Sequence, residues 1–182
     1  MTGGEATTTG ATVTKLFDER RIARRVEALA AEIAGSLPRE LELVVVLKGG
    51  FVFAADLMRA LDRAGLILGV DFVRLSSYGH AKESSGVVRP IGPIPDGVAG
   101  RDVLVVDDIV DTGRSLVAAR SLMIARGAAT VSTCVLLDKP SRREVDVEPD
   151  FVGFTIEDVF VVGYGIDLAD RHRHLPYIGT LD

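Results

Sequence analysis

The chain reads as an α/β domain, a mostly parallel central sheet with helices packed against its faces. Short runs of β-branched residues alternate with segments of helical periodicity, and the runs are apolar almost throughout, as in strands covered on both sides. No internal repeat divides the 182 residues, and 47% are hydrophobic, enough for one sizeable core.

Residues 1–12 are Thr- and Gly-rich and lack the basic-then-apolar layout of a signal peptide; they read as a flexible tail ahead of a single domain spanning residues 13–182. Ile22, Val26, Leu29 and Ile33 mark one face of a helix expected to end at Gly35. Residues 42–47 predict a buried strand, followed by the turn Lys48-Gly49-Gly50 and a helix over 51–64 that stops at Gly65. A strand over 70–77 leads into a polar, Gly/Ser-containing stretch over 78–85 without periodicity, a kind of loop that usually has a function. Pro90, Pro93 and Pro95 interrupt the chain before a strand at 102–107. Leu116, Ala119 and Met123 then share a helix face, and Gly127 ends that helix. Strands follow at 130–137, 151–156 and 160–162. Right-handed crossovers make such strands parallel, and ligands sit at their C-terminal ends. Lys48-Gly49 and Asp107-Asp108 both fall at such ends and therefore belong to one site.

A net charge of −5 and a pI near 5.2 disfavour a nonspecific nucleic-acid binder. The apolar runs are too short to span a membrane. The single cysteine, Cys134, lies in the apolar run Thr133-Cys134-Val135-Leu136-Leu137 and reads as a buried structural thiol; cytoplasmic residence is the default for such a chain. His80, His172 and His174 read as surface residues rather than metal ligands.

The chemistry concentrates in Val103-Leu104-Val105-Val106-Asp107-Asp108-Ile109-Val110-Asp111-Thr112-Gly113-Arg114-Ser115. A buried strand runs into adjacent acids, and a tight loop then opens a helix. Loop N–H groups and the positive helix end favour a phosphate. Carboxylates beside a phosphate point to Mg²⁺, ribose hydroxyls or both, which fits a phosphorylated sugar better than a nucleoside triphosphate.

Four motifs in order resemble the purine phosphoribosyltransferases of the hypoxanthine or hypoxanthine-guanine type. They are Leu47-Lys48-Gly49-Gly50, Ser76-Ser77-Tyr78-Gly79, the acidic strand and loop, and Asp138-Lys139-Pro140-Ser141-Arg142-Arg143 with Phe160-Val161-Val162-Gly163-Tyr164-Gly165-Ile166-Asp167. The tail Arg173-His174-Leu175-Pro176-Tyr177-Ile178-Gly179 is similar to bacterial members. The resemblance runs from about Leu43 to the C-terminus. It implies a type I phosphoribosyltransferase fold with a small hood built from the N- and C-terminal segments. It also implies transfer of ribose 5-phosphate from phosphoribosyl pyrophosphate (PRPP) to a 6-oxopurine, with Mg²⁺, in a homodimer or homotetramer.

Carried onto this chain, the resemblance makes Asp111 the general base toward purine N7, while its residue type at a phosphate turn is equally that of an N-cap. Asp107 and Asp108 would hold the ribose hydroxyls and Mg²⁺, with Asp167 a further metal-associated carboxylate. Asp107 departs from the family's usual Glu and is one methylene shorter. Thr112, Gly113, Arg114 and Ser115 would cradle the 5′-phosphate, and Lys48, Gly49 and Arg173 the pyrophosphate. In the family the Lys48-Gly49 loop can hold a cis peptide, an isomer the residues leave open. Lys139 would donate to purine O6, Phe160 would stack on the ring and Val161 would read its edge; core packing is the competing role of Phe160. Ser77 and Tyr78 open a segment that would close over the reacting centre. Leu168 and His172 stand where many bacterial members have tyrosine. Rival readings are a xanthine-preferring transferase, an RNA-binding regulator on the same fold and, from Asp-Asp-x-x-Asp alone, a prenyl diphosphate synthase. The last requires those acids on a helix, whereas here a β-branched strand precedes them.

Overall fold

A computed structural model describes residues 13–77 and 88–181; the tail over 1–12, Tyr78 and His80 lie outside the described residues. In chain order the elements are β1 (Val13–Phe17), α1 (Glu19–Ser36), β2 (Glu40–Leu47), α2 (Phe51–Arg63), β3 (Ile67–Ser77), β4 (Val88–Pro90), β5 (Asp102–Val110), α3 (Arg114–Ala125), β6 (Thr130–Asp138), β7 (Phe151–Thr155), β8 (Val161–Val162) and β9 (Ile178–Leu181). A short 3₁₀ turn, Pro140–Arg142, follows β6.

Six strands form the main sheet in the order β4-β3-β2-β5-β6-β7. All neighbours run parallel except β4, which folds back antiparallel on β3. Alternate residues of the central strands feed two cores. Leu41, Leu43 and Val45 of β2 join Leu104 and Val106 of β5 beneath α1 and α2, whereas Val44, Val46, Val103 and Val105 pack toward Leu116, Ala119 and Met123 of α3. Burial on both faces is why these strands read as continuous apolar runs. The expected hood is a second, antiparallel sheet, β1-β9-β8, which joins the two ends of the described chain.

Several boundaries differ from expectation. Helix α1 passes through Gly35 to Ser36; Leu37, extended at φ −110° and ψ 161°, ends it because Pro38 disfavours a helical residue before it. Strand β5 continues three residues past Asp107, so both acids lie within the strand and not after it. Its ladder with β6 runs on through Ile109↔Leu137 to Val110↔Asp138. β3 begins at Ile67 and β8 at Val161, and β1, β4 and β9 were not foreseen as strands.

Candidate active site

β2 and β5 pair in parallel, so their C-terminal ends lie side by side. Between them opens a cleft of about 280 Å³ lined by Leu47, Gly49, Asp107, Asp108, Asp111 and Thr112, among others. A larger cleft of about 640 Å³ lies between α1, α2 and the C-terminal loop; its lining is mostly apolar and includes none of Asp107, Asp108 and Asp111.

The first wall is the turn after β2. Its cis peptide joins Leu47 to Lys48, one bond ahead of Lys48-Gly49. Gly49 leaves room for the Asp108 carboxylate: a Cβ there would stand 1.9 Å from Asp108 Oδ2 and displace it. Gly165 is fixed by space, at φ +101° with its absent Cβ only 2.3 Å from the Gly49 carbonyl. The hood loop thus presses backbone against backbone on the turn.

The second wall is β5. Asp107 is only 5% exposed, and its Oδ1 accepts from the Asp108 N–H at 2.9 Å. Burial and the neighbouring Asp108 carboxylate push the Asp107 carboxyl well above the usual carboxylate range. Burial raises Asp108 as well, opposed by its hydrogen bonds and the Arg173 charge. Two acids crowded in little solvent fit a divalent cation, which relieves both burial and repulsion. No group of three or more His, Cys, Asp or Glu gathers for a metal among the described residues. Asp167, expected beside the metal, turns its carboxylate to Arg173 at 2.6 Å.

The third wall is the loop 111–115. Gly113, not Asp111, is the N-cap of α3, in left-handed backbone at φ +86° and with no side-chain cap. The glycine at the cap position brings no side chain of its own to the α3 N–H groups. The Asp111 carboxylate instead accepts from Arg142 Nε at 3.0 Å, and Arg142 also faces Asp158 at 3.7 Å. Arg143 donates to the Asp111 carbonyl at 2.8 Å and pairs with the Asp138 carboxylate. Arg114 pairs with Glu144 at 2.8 Å, and its N–H reaches Thr112 Oγ1 at 3.4 Å. Ser115 is exposed.

On the side expected to take a base, Lys139 is only 6% exposed, held by its N–H to the Val110 carbonyl at 2.9 Å. Phe160 is 53% exposed, which rules out the core role; Val161 beside it is buried in the hood sheet. Arg142, shared by Asp111 and Asp158, ties the segment carrying Phe160 to the third wall. Expected pyrophosphate contacts converge too: Lys48 and Arg173 both reach Asp170, at 2.8 and 3.4 Å. Sequence reasoning assigned no role to Asp158, Asp170, Arg142 or Arg143. Of these, Asp170 carried a local signal, three residues from both Asp167 and Arg173.

A parallel sheet with paired acids and a helix N-terminus at its C-terminal edge defines a class, and the comparisons with known proteins agree. Residues 12–168 match the family model of the phosphoribosyl transferase domain, and the chain belongs to that family. Within it, the chain is 43% identical over 167 residues to the hypoxanthine-guanine phosphoribosyltransferase of Bacillus subtilis, covering 91% of each chain. It is 42% identical over 176 residues to the hypoxanthine phosphoribosyltransferase of Escherichia coli K12, covering 93% of this chain and 96% of that one. Among solved structures, the hypoxanthine phosphoribosyltransferase of Staphylococcus aureus superposes with a TM-score of 0.85 at 37% identity, over 92% of this chain and 90% of that one. The Trypanosoma cruzi enzyme of the same name gives 0.87 at 38% identity, over 95% and 93%.

Proposed function

We propose that this protein transfers the 5-phosphoribosyl group of PRPP to hypoxanthine and guanine, giving IMP or GMP and pyrophosphate in purine salvage. The observation that carries the reading is one cleft bounded by Leu47 and Gly49, by Asp107-Asp108 and by the Asp111–Ser115 loop that opens α3. Its three walls match the three parts of the donor: diphosphate, ribose and 5′-phosphate.

The 5′-phosphate takes the N–H groups of Thr112, Gly113, Arg114 and Ser115 with the helix dipole behind them. Lys48, the Gly49 backbone and Arg173 take the pyrophosphate. Asp107 and Asp108 hold the ribose hydroxyls and are where Mg²⁺ would be held, with most of its remaining ligands supplied by donor oxygens. Held there, Mg²⁺ would supply neutralising charge for the leaving pyrophosphate. Asp111 accepts the proton from purine N7 as N9 forms its bond to the anomeric carbon and the bond to the pyrophosphate oxygen breaks. Lys139 donates to the O6 of a 6-oxopurine; adenine offers an amino group there, itself a donor, and is rejected. Phe160 stacks on the ring, and closure of the segment opened by Ser77 and Tyr78 excludes water that would otherwise compete for the sugar.

Hypoxanthine is the preferred base, a homodimer or homotetramer the expected assembly and the cytoplasm the expected compartment. No helix among the described residues is long and apolar enough to cross a membrane. The test is a panel of hypoxanthine, guanine, xanthine and adenine with PRPP and Mg²⁺, read as nucleotide formed. The reading expects kcat/KM to fall in the order hypoxanthine, guanine, xanthine, with adenine inactive. Nucleotide from xanthine alone, or RNA retention without any nucleotide formation, contradicts it.

A further inference from the structure

Lys48 follows β2 and Arg173 lies in the C-terminal loop, yet both reach one carboxylate. Asp170 Oδ1 stands 2.8 Å from Lys48 Nζ and 3.4 Å from Arg173 Nη2. The loop that presents it is wound for the purpose. Ala169, Asp170 and His172 all have positive φ, at 50°, 62° and 71°, a region that residues other than glycine enter at a cost. The Asp170 N–H donates to Asp167 Oδ2 at 2.7 Å, and Arg173 is held from its other side by the Gly165 carbonyl at 2.7 Å. Lys48 Nζ and Arg173 Nη2 therefore converge on the same Asp170 oxygen. Arg173 Nη2 also pairs with Asp167 Oδ1 at 2.6 Å, so Asp170 is its second carboxylate and the one it shares with Lys48.

We propose that Asp170 is a positioning residue of the diphosphate site, its carboxylate holding Lys48 and Arg173 convergent until the pyrophosphate oxygens displace it. The inference rests on the phosphoribosyl-transfer reading, since it needs the pyrophosphate to arrive at these two cations. Displacement gives a defined cost to binding and, in reverse, a group that closes on both cations as the product leaves. Asp170 is largely exposed, so each pair is worth little by itself, and their joint effect on affinity is about three- to tenfold.

The test is titration calorimetry of inorganic pyrophosphate with Mg²⁺ into the full chain and into Asp170→Asn. Asparagine keeps the shape, tolerates positive φ and keeps the N–H to Asp167, so the loop is preserved. The expected result is tighter pyrophosphate binding by about three- to tenfold. A gain clearly smaller in a Lys48→Met background than with Lys48 present places the effect at the Lys48 contact. Unchanged or weaker binding by Asp170→Asn, or the same gain with Lys48 absent, overturns the assignment. Pyrophosphate that fails to bind the unaltered chain overturns both this inference and the transferase reading, so the two failures are distinguishable.

Discussion

In the proposed reaction, Asp111 is the residue on which turnover would depend most directly. Asp111 lines the cleft, and its Oδ1 accepts from Arg142 Nε at 3.0 Å. Asp111→Asn keeps the shape and removes the base, and kcat is expected to fall by about 10²- to 10⁴-fold. The KM for PRPP should move little. Steady-state kinetics with hypoxanthine check this, and undiminished kcat would remove Asp111 from the chemistry. That Asp107, Asp108 and the Thr112-Gly113 turn share one strand end was legible in the sequence because they belong to one contiguous motif. The clamps around the site were not. Arg142 meets Asp111 across 31 positions and Lys48 meets Asp170 across 122, separations that only the folded chain closes. The N-cap possibility for Asp111 was settled the same way: the left-handed Gly113 takes that place.

At the scale of elements, the alternation of strand and helix was readable because burial on both faces leaves an unbroken apolar signal. Ends were less so. Asp107 and Asp108 resemble a strand terminus by polarity, yet the β6 ladder carries β5 past them to Val110. Gly35 resembles a cap, yet α1 continues to Ser36 and stops for Pro38. The short strands β1, β8 and β9 pair only with one another and carry too few residues for a clear period. The contact between elements that matters most to the site is Gly165 against the turn after β2. Gly165→Ala meets the Gly49 carbonyl at 2.3 Å and adds a side chain at φ +101°. It should cost about 1–3 kcal/mol of stability. Displacement of Gly49 should also raise the KM for PRPP more than that for hypoxanthine. Denaturant midpoints and the two KM values measure both effects, and equal changes in the two KM values would mean the turn is not the part disturbed.

Across the whole molecule, hood and main sheet are tied into one body. Phe17 of the hood stacks on Phe154 of β7 with ring centroids 4.2 Å apart, and Arg21 of α1 lies 4.6 Å from the Phe17 ring. Arg25 donates to the carbonyls of Val152 and Gly153, each at 2.7 Å. Two buried weakly acidic groups, the Cys134 thiol and the Tyr164 phenol, make its stability fall at alkaline pH. Burial pushes up the Cys134 thiol, and burial together with the Asp56 carboxylate pushes up the Tyr164 phenol. Unfolded, these groups lose their protons near pH 8.5 and pH 10, roughly. Stability present in full at neutral pH is therefore lost as pH rises above those values, at up to about 1.4 kcal/mol per pH unit for each group. Urea midpoints followed from about pH 7 to 10 should fall, and less steeply in Cys134→Ala; parallel curves would refute the thiol's share. The central claim, that one cleft at the ends of β2 and β5 holds the whole donor, is tested most directly by a crystal structure with Mg²⁺ and PRPP. The account predicts the 5′-phosphate on the N–H groups of residues 112–115, the ribose at Asp107 and Asp108, and the diphosphate at Lys48 and Arg173 in place of Asp170. PRPP bound in the apolar cleft between α1 and α2, or with its 5′-phosphate away from α3, would contradict it.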